Sequence, residues 1–271
     1  MRALYLHENF YSRDPNSPAN VYSAAQFPSS FWETFTAHFD QVTVVGRELP
    51  EWKDRYREQY NLSSTDKVTF ELMPNLSGLK HLLKNRKAVQ RRIAELVQES
   101  DAVILRNVNE ISFIGYQEAR RQGKPVAVEM TGCQWDALWY HKHWAAKIYA
   151  PFRYLRARYV VGKTDRVLYV SEKFLQKRYP SGAPQAFASN VRIDKPDGNI
   201  LHNRIKKIEK ASQPFKIGLI GALHSGLKGI EVVIDALAEI LKKHPGLAEF
   251  HVLGPGDPSV YDDQIKKHGL I

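Results

Sequence analysis

Cysteine is nearly absent from this sequence. The 271 residues include a single cysteine, Cys133, which excludes an internal disulfide and any zinc module built from several cysteines. Such a composition fits a reducing compartment. No apolar run approaches the roughly 18 residues that a membrane span needs, and the short apolar segment 3–6 has no small-residue cleavage site after it. We therefore expect a soluble cytoplasmic protein.

Acidic residues are fewer than basic ones. The chain has 39 Lys and Arg against 29 Asp and Glu, a formal net charge of +10. Hydrophobic residues make up 43% and charged residues 25%, which is a globular composition and excludes a disordered or fibrous chain. The positive excess permits nucleic acid, anionic lipid or phosphorylated substrates as partners, and by itself it selects none of them.

Several catalytic motifs are also absent. The sequence contains no Gly-x-Ser-x-Gly, His-Glu-x-x-His or Cys-x-x-Cys. No Gly-x-Gly-x-x-Gly follows the first predicted strand, which argues against a Rossmann-type oxidoreductase. His141 and His143 form a His-x-His pair that would chelate a metal on a strand but would point apart on a helix. Because the surrounding sequence is typical of a helix or loop, we expect no metal site there.

Short apolar runs alternate with helical patterns along the first two thirds of the chain. The runs are continuous, which is typical of strands buried on both faces, and the alternation predicts a parallel sheet with right-handed crossovers. A Rossmann-like domain is therefore expected over residues 1–200. The predicted strands are 3–6, 41–45, 68–73, 102–105, 125–128 and 167–170, and the predicted helices are 29–39, 80–99 and 111–122.

A second unit is predicted after a polar, basic segment at 201–213, which we interpret as a linker or solvated helix. Residues 215–220 have a strand pattern, an amphipathic helix follows from Ile230, and 250–253 is a further strand. Residues 214–271 thus resemble the start of a second Rossmann-like domain. They are too few for a complete doubly wound domain.

The strongest local signal for chemistry is the loop 221–229. It follows a strand and opens a helix, so its backbone N–H groups, the helix N-terminus and Lys228 could together bind a phosphate. It is not a P-loop, because Lys228 comes one position late and Gly229 replaces the hydroxyl that would hold magnesium. The alternative is a plain strand-to-helix turn, and the spacing does not separate the two interpretations.

A second polar segment, 129–136, lies just past a predicted strand, where open α/β sheets bind ligands. Glu129 and Asp136 could act as acid, base or hydroxyl acceptor. The alternative for Glu129 is a strand-end carboxylate paired with a nearby base. Cys133 has no local signature of a nucleophile, and a lone cysteine is usually buried.

Basic residues cluster in segments 84–92 and 147–166, and in the second they alternate with aromatic residues. Solvated helix faces are one interpretation. Docking to anionic lipid through basic and aromatic side chains is the other, which would place the protein peripherally at the inner face of the plasma membrane. No nucleic-acid recognition motif accompanies the charge, so we expect no nucleic-acid partner.

Further segments lie in a characteristic order along nearly the whole chain: 21–23, 27–28, 39–42, 45–47, 104–106, 125–139, 150–151, 167–171, 174–180, 189–191, 218–221 and 228–229. Together they resemble a retaining glycosyltransferase of the GT-B fold, glycosyltransferase family 4, of the capsule and lipopolysaccharide type. The resemblance implies an α/β fold of two Rossmann-like domains facing across a cleft. It further implies sugar transfer, with retention, from a nucleotide-sugar donor to a cell-surface polysaccharide or polyprenyl-linked glycan precursor. No metal or other cofactor is then expected, because protein positive charges stabilise the leaving diphosphate.

The resemblance assigns the loop of the second unit to the donor. Lys228 matches the diphosphate-binding lysine of the family, with Gly221, Ser225 and Gly226 forming the loop around it. The arginine that often precedes this lysine is absent, and His224 or Ser225 occupies its neighbourhood.

The resemblance also assigns candidates in the first unit. The histidine that many relatives carry aligns near Thr131, so Glu129, Thr131 and Asp136 are the expected catalytic residues. Arg106 and Trp135 are expected on the acceptor side.

A Glu-x7-Glu motif and a final returning helix, both typical of the family, do not occur before Ile271. We therefore expect either a fragment or a truncated gene product. The alternative function is a non-catalytic, membrane-associated remnant of such an enzyme.

Overall fold

The computed structural model describes residues 1–24, 27–49, 51–76, 78–140, 144–191, 196–210, 213–223 and 226–270. The chain divides into two compact units. The first comprises residues 1–135 and 149–190, and the second comprises residues 136–148 and 191–271.

The first unit contains a nine-stranded sheet in which continuous apolar strands alternate with helices, as the apolar runs predict. Its strands are β1 (Arg2–Asp14), β2 (Ser17–Ser23), β3 (Gln41–Glu48), β4 (Asn61–Leu62), β5 (Val68–Met73), β6 (Ala102–Arg106), β7 (Val126–Met130), β8 (Arg166–Tyr169) and β9 (Gln185–Phe187). The helices of this part of the chain are α1 (Glu33–Thr36), α2 (Tyr56–Gln59), α3 (Leu79–Gln98), α4 (Glu110–Arg121), α5 (Gln134–Trp139), α6 (Trp144–Lys163) and α7 (Phe174–Arg178).

Seven strands of this sheet run parallel, in the spatial order β5-β3-β1-β6-β7-β8-β9. Counted along the chain this is the 3-2-1-4-5-6 order of a Rossmann fold with one further strand. The order reverses between β1 and β6, so a crevice forms at the carboxyl ends of these two strands, where such sheets bind ligands.

Both faces of the sheet carry apolar cores, which explains why the strand sequences do not alternate. On one face, Leu4 and Leu6 of β1 and Leu105 of β6 pack with Ile93 of α3 and Ile111 of α4. On the other face, an aromatic cluster surrounds Tyr5, which makes edge-to-face contacts with Trp32 and Phe35. All six predicted strands of this unit are confirmed.

Several elements of this unit differ from the sequence prediction. The helix expected over 29–39 is a 3-10 turn (Ser29–Trp32) followed by the single turn α1, because its aromatic side chains pack into the sheet rather than along a helical stripe. Strand β1 continues to Asp14 and pairs antiparallel with β2. Strands β2, β4 and β9 were not predicted, since two of them are only two or three residues long.

The longest unpredicted element is α6. Pro151 lies inside it, and proline normally indicates a helix boundary. Ala150, Ala157, Val160 and Val161 form its buried side, so packing against the sheet stabilises the helix despite the missing N–H group.

The second unit begins with α8 (Asn199–Glu209), which has no buried residue, as expected for a solvated helix. It continues with β10 (Phe215–Ile220), α9 (Ile230–Lys243), β11 (Ala248–Leu253) and α10 (Asp262–His268). Strands β10 and β11 pair in parallel. Ile230, Ile234 and Tyr261 form the centre of a small core between helix and sheet.

Among the described residues, none of the helices combines the length and apolar composition that crossing a bilayer requires.

Candidate functional site

Polar side chains lie just beyond the point where the pairing of β1 with β6 ends, at Leu6 and Leu105. Glu8 extends from β1, and its carboxylate accepts a hydrogen bond from the backbone N–H of Glu110 at the start of α4, at 2.9 Å. Asn109 caps the same helix by accepting from the Ser112 N–H at 2.8 Å. The positive end of the α4 dipole is therefore already partly compensated by the chain's own carboxylate.

Arginine side chains surround this helix start. Arg47, from the end of β3, donates to the Glu8 carbonyl at 2.9 Å and to Asn75 at 3.2 Å. Arg153 of α6 donates to the Gln134 side chain at 2.6 Å, while its buried Nε has no hydrogen-bond acceptor among the described residues. Burial lowers the pKa of Arg47, Glu8 opposes this shift, and Arg153 adds to it by repulsion.

Glu110 is the acidic partner of the same cluster. Its carboxylate accepts a hydrogen bond from the Tyr149 hydroxyl at 2.6 Å and pairs with Arg156 at 2.6 Å. Burial acts to raise the pKa of Glu110, but the ion pair with Arg156 and the hydrogen bond from Tyr149 outweigh it and the pKa is lowered. Glu110 therefore stays ionised near neutral pH. The net charge of the cluster is positive, because the arginines outnumber the carboxylates of Glu8 and Glu110.

Thr131 lies at the carboxyl edge of this sheet, as predicted. Its hydroxyl accepts a hydrogen bond from the side-chain NH2 group of Asn107 at 2.6 Å, and its backbone N–H donates to the side-chain oxygen Oδ1 of Asn107 at 2.9 Å. Asn107 has a left-handed backbone, with φ of +58°, a conformation that asparagine tolerates better than most residues. The two reciprocal hydrogen bonds fix the loops after β6 and β7 to each other.

Glu129 and Arg106, two of the predicted site residues, form a largely buried ion pair at 3.2 Å, with side chains 13% and 10% exposed. The Tyr5 hydroxyl donates to the same Glu129 oxygen at 2.6 Å, and the Arg106 guanidinium lies over the rings of Phe27 and Phe31. This arrangement is the strand-end pairing that the sequence left open as the alternative for Glu129.

The remaining candidates of this segment lie in or beside α5. Trp135 packs edge-to-face on Tyr154, with ring centroids 5.9 Å apart, against the main core. Cys133 is buried, beside the Tyr179 hydroxyl at 3.3 Å. Asp136 occupies the first turn of α5 and belongs to the second unit. His141 and His143 lie outside the described residues.

The second unit presents the loop between β10 and α9. Residues 226–228 form a 3-10 turn that ends at Lys228, and Gly229 has a φ of +68°, which places it in the left-handed region that favours glycine. A Cβ at Gly221 would lie 2.7 Å from Cγ of Lys228, so the lysine side chain crosses directly over the end of β10. Gly226 has open space around it, and Ser225 lies outside the described residues.

The loop is anchored by the segment that follows β11. The N–H of Gly221 donates to the Leu253 carbonyl and the N–H of Leu223 donates to the Pro255 carbonyl, each at 2.9 Å. The Tyr261 hydroxyl donates to the Leu223 carbonyl at 2.7 Å. An exposed lysine therefore lies over an anchored turn at the carboxyl end of a parallel strand, which is a suitable geometry for binding a phosphate.

Sequence reasoning did not assign Glu8, Arg47, Asn107, Glu110 and Arg153 to a site. Glu8 follows the stretch of β1 that pairs with β6, Arg47 lies at the end of β3 and Asn107 follows β6, so the rule that ligands bind at strand ends could have found them. Arg153 belongs to a helix far along the chain, and only the tertiary structure brings it to this edge.

No protein-family model matches this chain. Over 274 aligned residues it is 26% identical to Protein CapJ of Staphylococcus aureus, a similarity that covers 100% of the chain and 65% of that protein. Sucrose-phosphate synthase from Thermosynechococcus elongatus superposes with a TM-score of 0.53 at 12% identity, over 100% of the chain and 68% of that structure. The chain has a GT-B glycosyltransferase-like fold.

The GT-B-like fold here consists of a Rossmann-like first domain and part of a second one. The similarity to CapJ along the whole chain indicates distant homology. A UGT transferase from Siraitia grosvenorii in complex with UDP has a TM-score of 0.46 at 12% identity, over 99% of the chain and 72% of that structure.

Proposed function

We propose that this chain is part of a retaining glycosyltransferase that transfers a sugar from a nucleotide-sugar donor to a polysaccharide or polyprenyl-linked glycan precursor. The observation that carries the proposal is the position of Lys228 across Gly221, in the second unit of a GT-B-like fold. Two comparisons support the same class of reaction. CapJ is a capsule-related homologue, and the name of sucrose-phosphate synthase denotes the synthesis of a phosphorylated sugar.

The proposed donor site is the loop that contains Gly221, Ser225, Gly226 and Lys228. The Lys228 ammonium would hold the diphosphate and stabilise the negative charge that develops on it as the bond to the sugar breaks. Exposure of Lys228 leaves its charge accessible to a ligand, and the anchored loop limits the reorganisation that binding would require.

The proposed acceptor site is the carboxyl edge of the sheet in the first unit. Arg47 and Arg153 would bind an anionic group of the acceptor, since Arg153 keeps a buried Nε without an acceptor among the described residues. Thr131 would contact the sugar, and Trp135 is a further candidate on the acceptor side. Asp136, a residue of the second unit, stays a candidate catalytic residue. Because the Glu129 carboxylate is already paired with Arg106 and Tyr5, we propose that Glu129 and Arg106 position the β6 and β7 ends.

The donor proposal is tested by nucleotide binding to the Lys228→Ala variant. Removing a charged hydrogen-bond partner should weaken nucleoside diphosphate binding by about 1.5–3 kcal/mol, which is roughly 10- to 150-fold. Uridine, guanosine and adenosine diphosphates would be titrated into the chain by saturation-transfer NMR, which also detects weak binding.

Lys243→Ala is the matched control, because Lys243 is an exposed lysine of the same unit at the far end of α9. It should leave nucleotide affinity unchanged. Equal affinities of the Lys228→Ala and Lys243→Ala variants, or no saturation transfer to any of the three nucleotides, would contradict the assignment of this loop to the donor.

A further inference from the structure

The charged side chains at the carboxyl edge of the first unit are close to charge balance. The arginine cluster, as we define it, consists of three arginines and two carboxylates: Arg47, Arg153, Arg156, Glu8 and Glu110. Glu8 and Arg153 both act electrostatically on Arg47, and Arg156 and Arg153 both act on Glu110. The cluster therefore has a surplus of a single positive charge.

The surplus charge is located at Arg153. Arg156 is neutralised by Glu110 in an ion pair of 2.6 Å, in which the two side chains are only 16% and 11% exposed. Arg47 donates from Nε to the Glu8 backbone carbonyl at 2.9 Å, and the Glu8 carboxylate stabilises its charge. No carboxylate of the cluster is left to balance Arg153.

The Arg153 guanidinium also has a donor left for a ligand. Its Nη2 donates to the Gln134 side-chain oxygen at 2.6 Å, whereas its Nε is buried without an acceptor among the described residues. An unsatisfied buried donor costs free energy until an acceptor reaches it. Since the side chain as a whole is half-buried, a ligand can supply that acceptor. The planar guanidinium fork matches the two oxygens of a carboxylate.

The other position for an anion in the cluster is filled by the chain itself. The Glu8 carboxylate accepts a hydrogen bond from the Glu110 N–H, at the first residue of α4, at 2.9 Å. A helix N-terminus would otherwise attract a phosphate. A phosphate monoester carries about one and a half to two negative charges at neutral pH, so it would exceed the surplus charge and be repelled by Glu8. A sugar carboxylate carries the single charge that balances the cluster.

We infer that the arginine cluster recognises the carboxylate of a uronic acid in the acceptor glycan, and that Glu8 selects this sugar against a phosphorylated one. The inference rests on the proposed acceptor site and names the substrate class of that site. Arg153 would pair with the two carboxylate oxygens, and Arg47 would add its positive charge from the end of β3. Glu8 would act as a specificity-determining residue without touching the carboxylate.

The test compares three sugars by saturation-transfer NMR, in the absence of any nucleotide: methyl glucuronide, its uncharged methyl ester and glucose-6-phosphate. The glucuronide should bind at least about tenfold more tightly than the other two. Arg153→Gln should weaken glucuronide binding about tenfold. Arg153→Lys should not restore it, because an ammonium group lacks the planar fork.

The Glu8→Gln variant tests the selectivity. Glutamine keeps an oxygen that can accept from the Glu110 N–H but removes one negative charge from the cluster. The affinity for glucose-6-phosphate should therefore rise about tenfold, and the preference for the glucuronide should narrow, because the phosphate gains more from the added positive charge.

The matched controls are Arg166→Gln and Glu99→Gln. Arg166 is the exposed first residue of β8 and Glu99 is an exposed residue after α3, so both lie toward the amino ends of the parallel strands. Each control should bind the three sugars like the unchanged chain. Circular dichroism melting should show that the variants fold, and the comparison of the three sugars on the unchanged chain tests the inference even if a variant does not.

Equal affinity of the unchanged chain for the glucuronide and its ester, or for the glucuronide and glucose-6-phosphate, would overturn the inference. A preference that stays the same in Glu8→Gln would overturn the role of Glu8. If nucleoside diphosphates bind and the glucuronide does not, this inference fails and the donor proposal stands. If the glucuronide binds and no nucleotide does, the inference stands as a binding site and the transferase proposal fails.

Discussion

At the scale of single residues, burial decides what a polar side chain does. Glu129 lies near the carboxyl end of β7 and Lys228 lies in the loop after β10, and ligands bind at such strand ends. The Glu129 carboxylate is largely buried with Arg106 and Tyr5 as partners, whereas Lys228 is exposed. We therefore propose that the Glu129 side chain stabilises the fold and that the Lys228 side chain binds the ligand.

The pairing of Glu129 predicts a stability defect in the Glu129→Gln variant. Removing the charge leaves Arg106 without its buried carboxylate partner, and breaking a buried pair on one side lowers the free energy of unfolding by about 3–5 kcal/mol. Urea unfolding followed by tryptophan fluorescence reports on this unit, because Trp32, Trp52 and Trp135 lie within it.

Glu71→Gln is the control for this experiment. Glu71 pairs with Arg92, but these side chains are 36% and 39% exposed, so its loss should change stability by about 1 kcal/mol or less. If Glu129→Gln unfolds at the same urea concentration as the unchanged chain while a sugar-transfer activity is lost, Glu129 acts in the chemistry rather than in positioning.

At the scale of secondary-structure elements, the backbones of the second unit approach each other closely just past the carboxyl ends of β10 and β11. A Cβ at Gly254, just after β11, would lie 2.0 Å from the carbonyl oxygen of Gly221, just after β10. Glycine is required at position 254 because a backbone atom, which cannot move aside, occupies that space.

The Gly254→Ala variant should therefore separate the ends of β10 and β11 and expose the loop between β10 and α9, the proposed donor site, to local unfolding. Overpacking of this kind lowers stability by about 1–3 kcal/mol. Hydrogen exchange of the amides in β10 and β11, read by mass spectrometry, should speed up by a corresponding factor.

Gly218→Ala serves as the comparison, since Gly218 lies inside β10 and a Cβ there would have nothing within 4 Å. Its exchange rates should match those of the unchanged chain. Equal acceleration in the two variants would show that the close approach at Gly254 does not limit the stability of this strand pair.

At the scale of the whole molecule, the aromatic core of the first unit makes stability depend on pH. Burial first, and then repulsion from Arg106 and Arg47, lowers the pKa of His7 from 6.5 to about 3. In the unfolded chain His7 therefore binds a proton below about pH 6.5, whereas in the folded chain His7 stays neutral down to about pH 3. The stability associated with neutral His7 is complete above this window and is lost as the pH falls through it.

The expected loss between about pH 7.5 and about pH 5.5 is about 1.4 kcal/mol from this one residue. His7→Gln should remove that part of the slope in urea unfolding experiments. His38→Gln should keep it, because His38 is exposed. A slope that is unchanged in the His7→Gln variant would mean that other groups carry the acid sensitivity.

The sequence by itself determined the layered α/β architecture and the six parallel strands that it predicted. Continuous apolar runs are physically compatible only with strands buried on both faces, and the helices between them impose parallel crossovers. It also located the loop around Lys228, because a glycine-rich turn between strand and helix is encoded in neighbouring residues.

Only the tertiary structure decided which polar side chains meet. Arg47, Glu110 and Arg153 come from β3, α4 and α6 and are brought together by the sheet order, and no local pattern encodes that proximity. The same holds for α6, whose helix continues through Pro151 because its buried side packs on the core. The partners of Glu129 are likewise a consequence of packing between distant segments, since burial is a property of the folded neighbourhood and not of the residue.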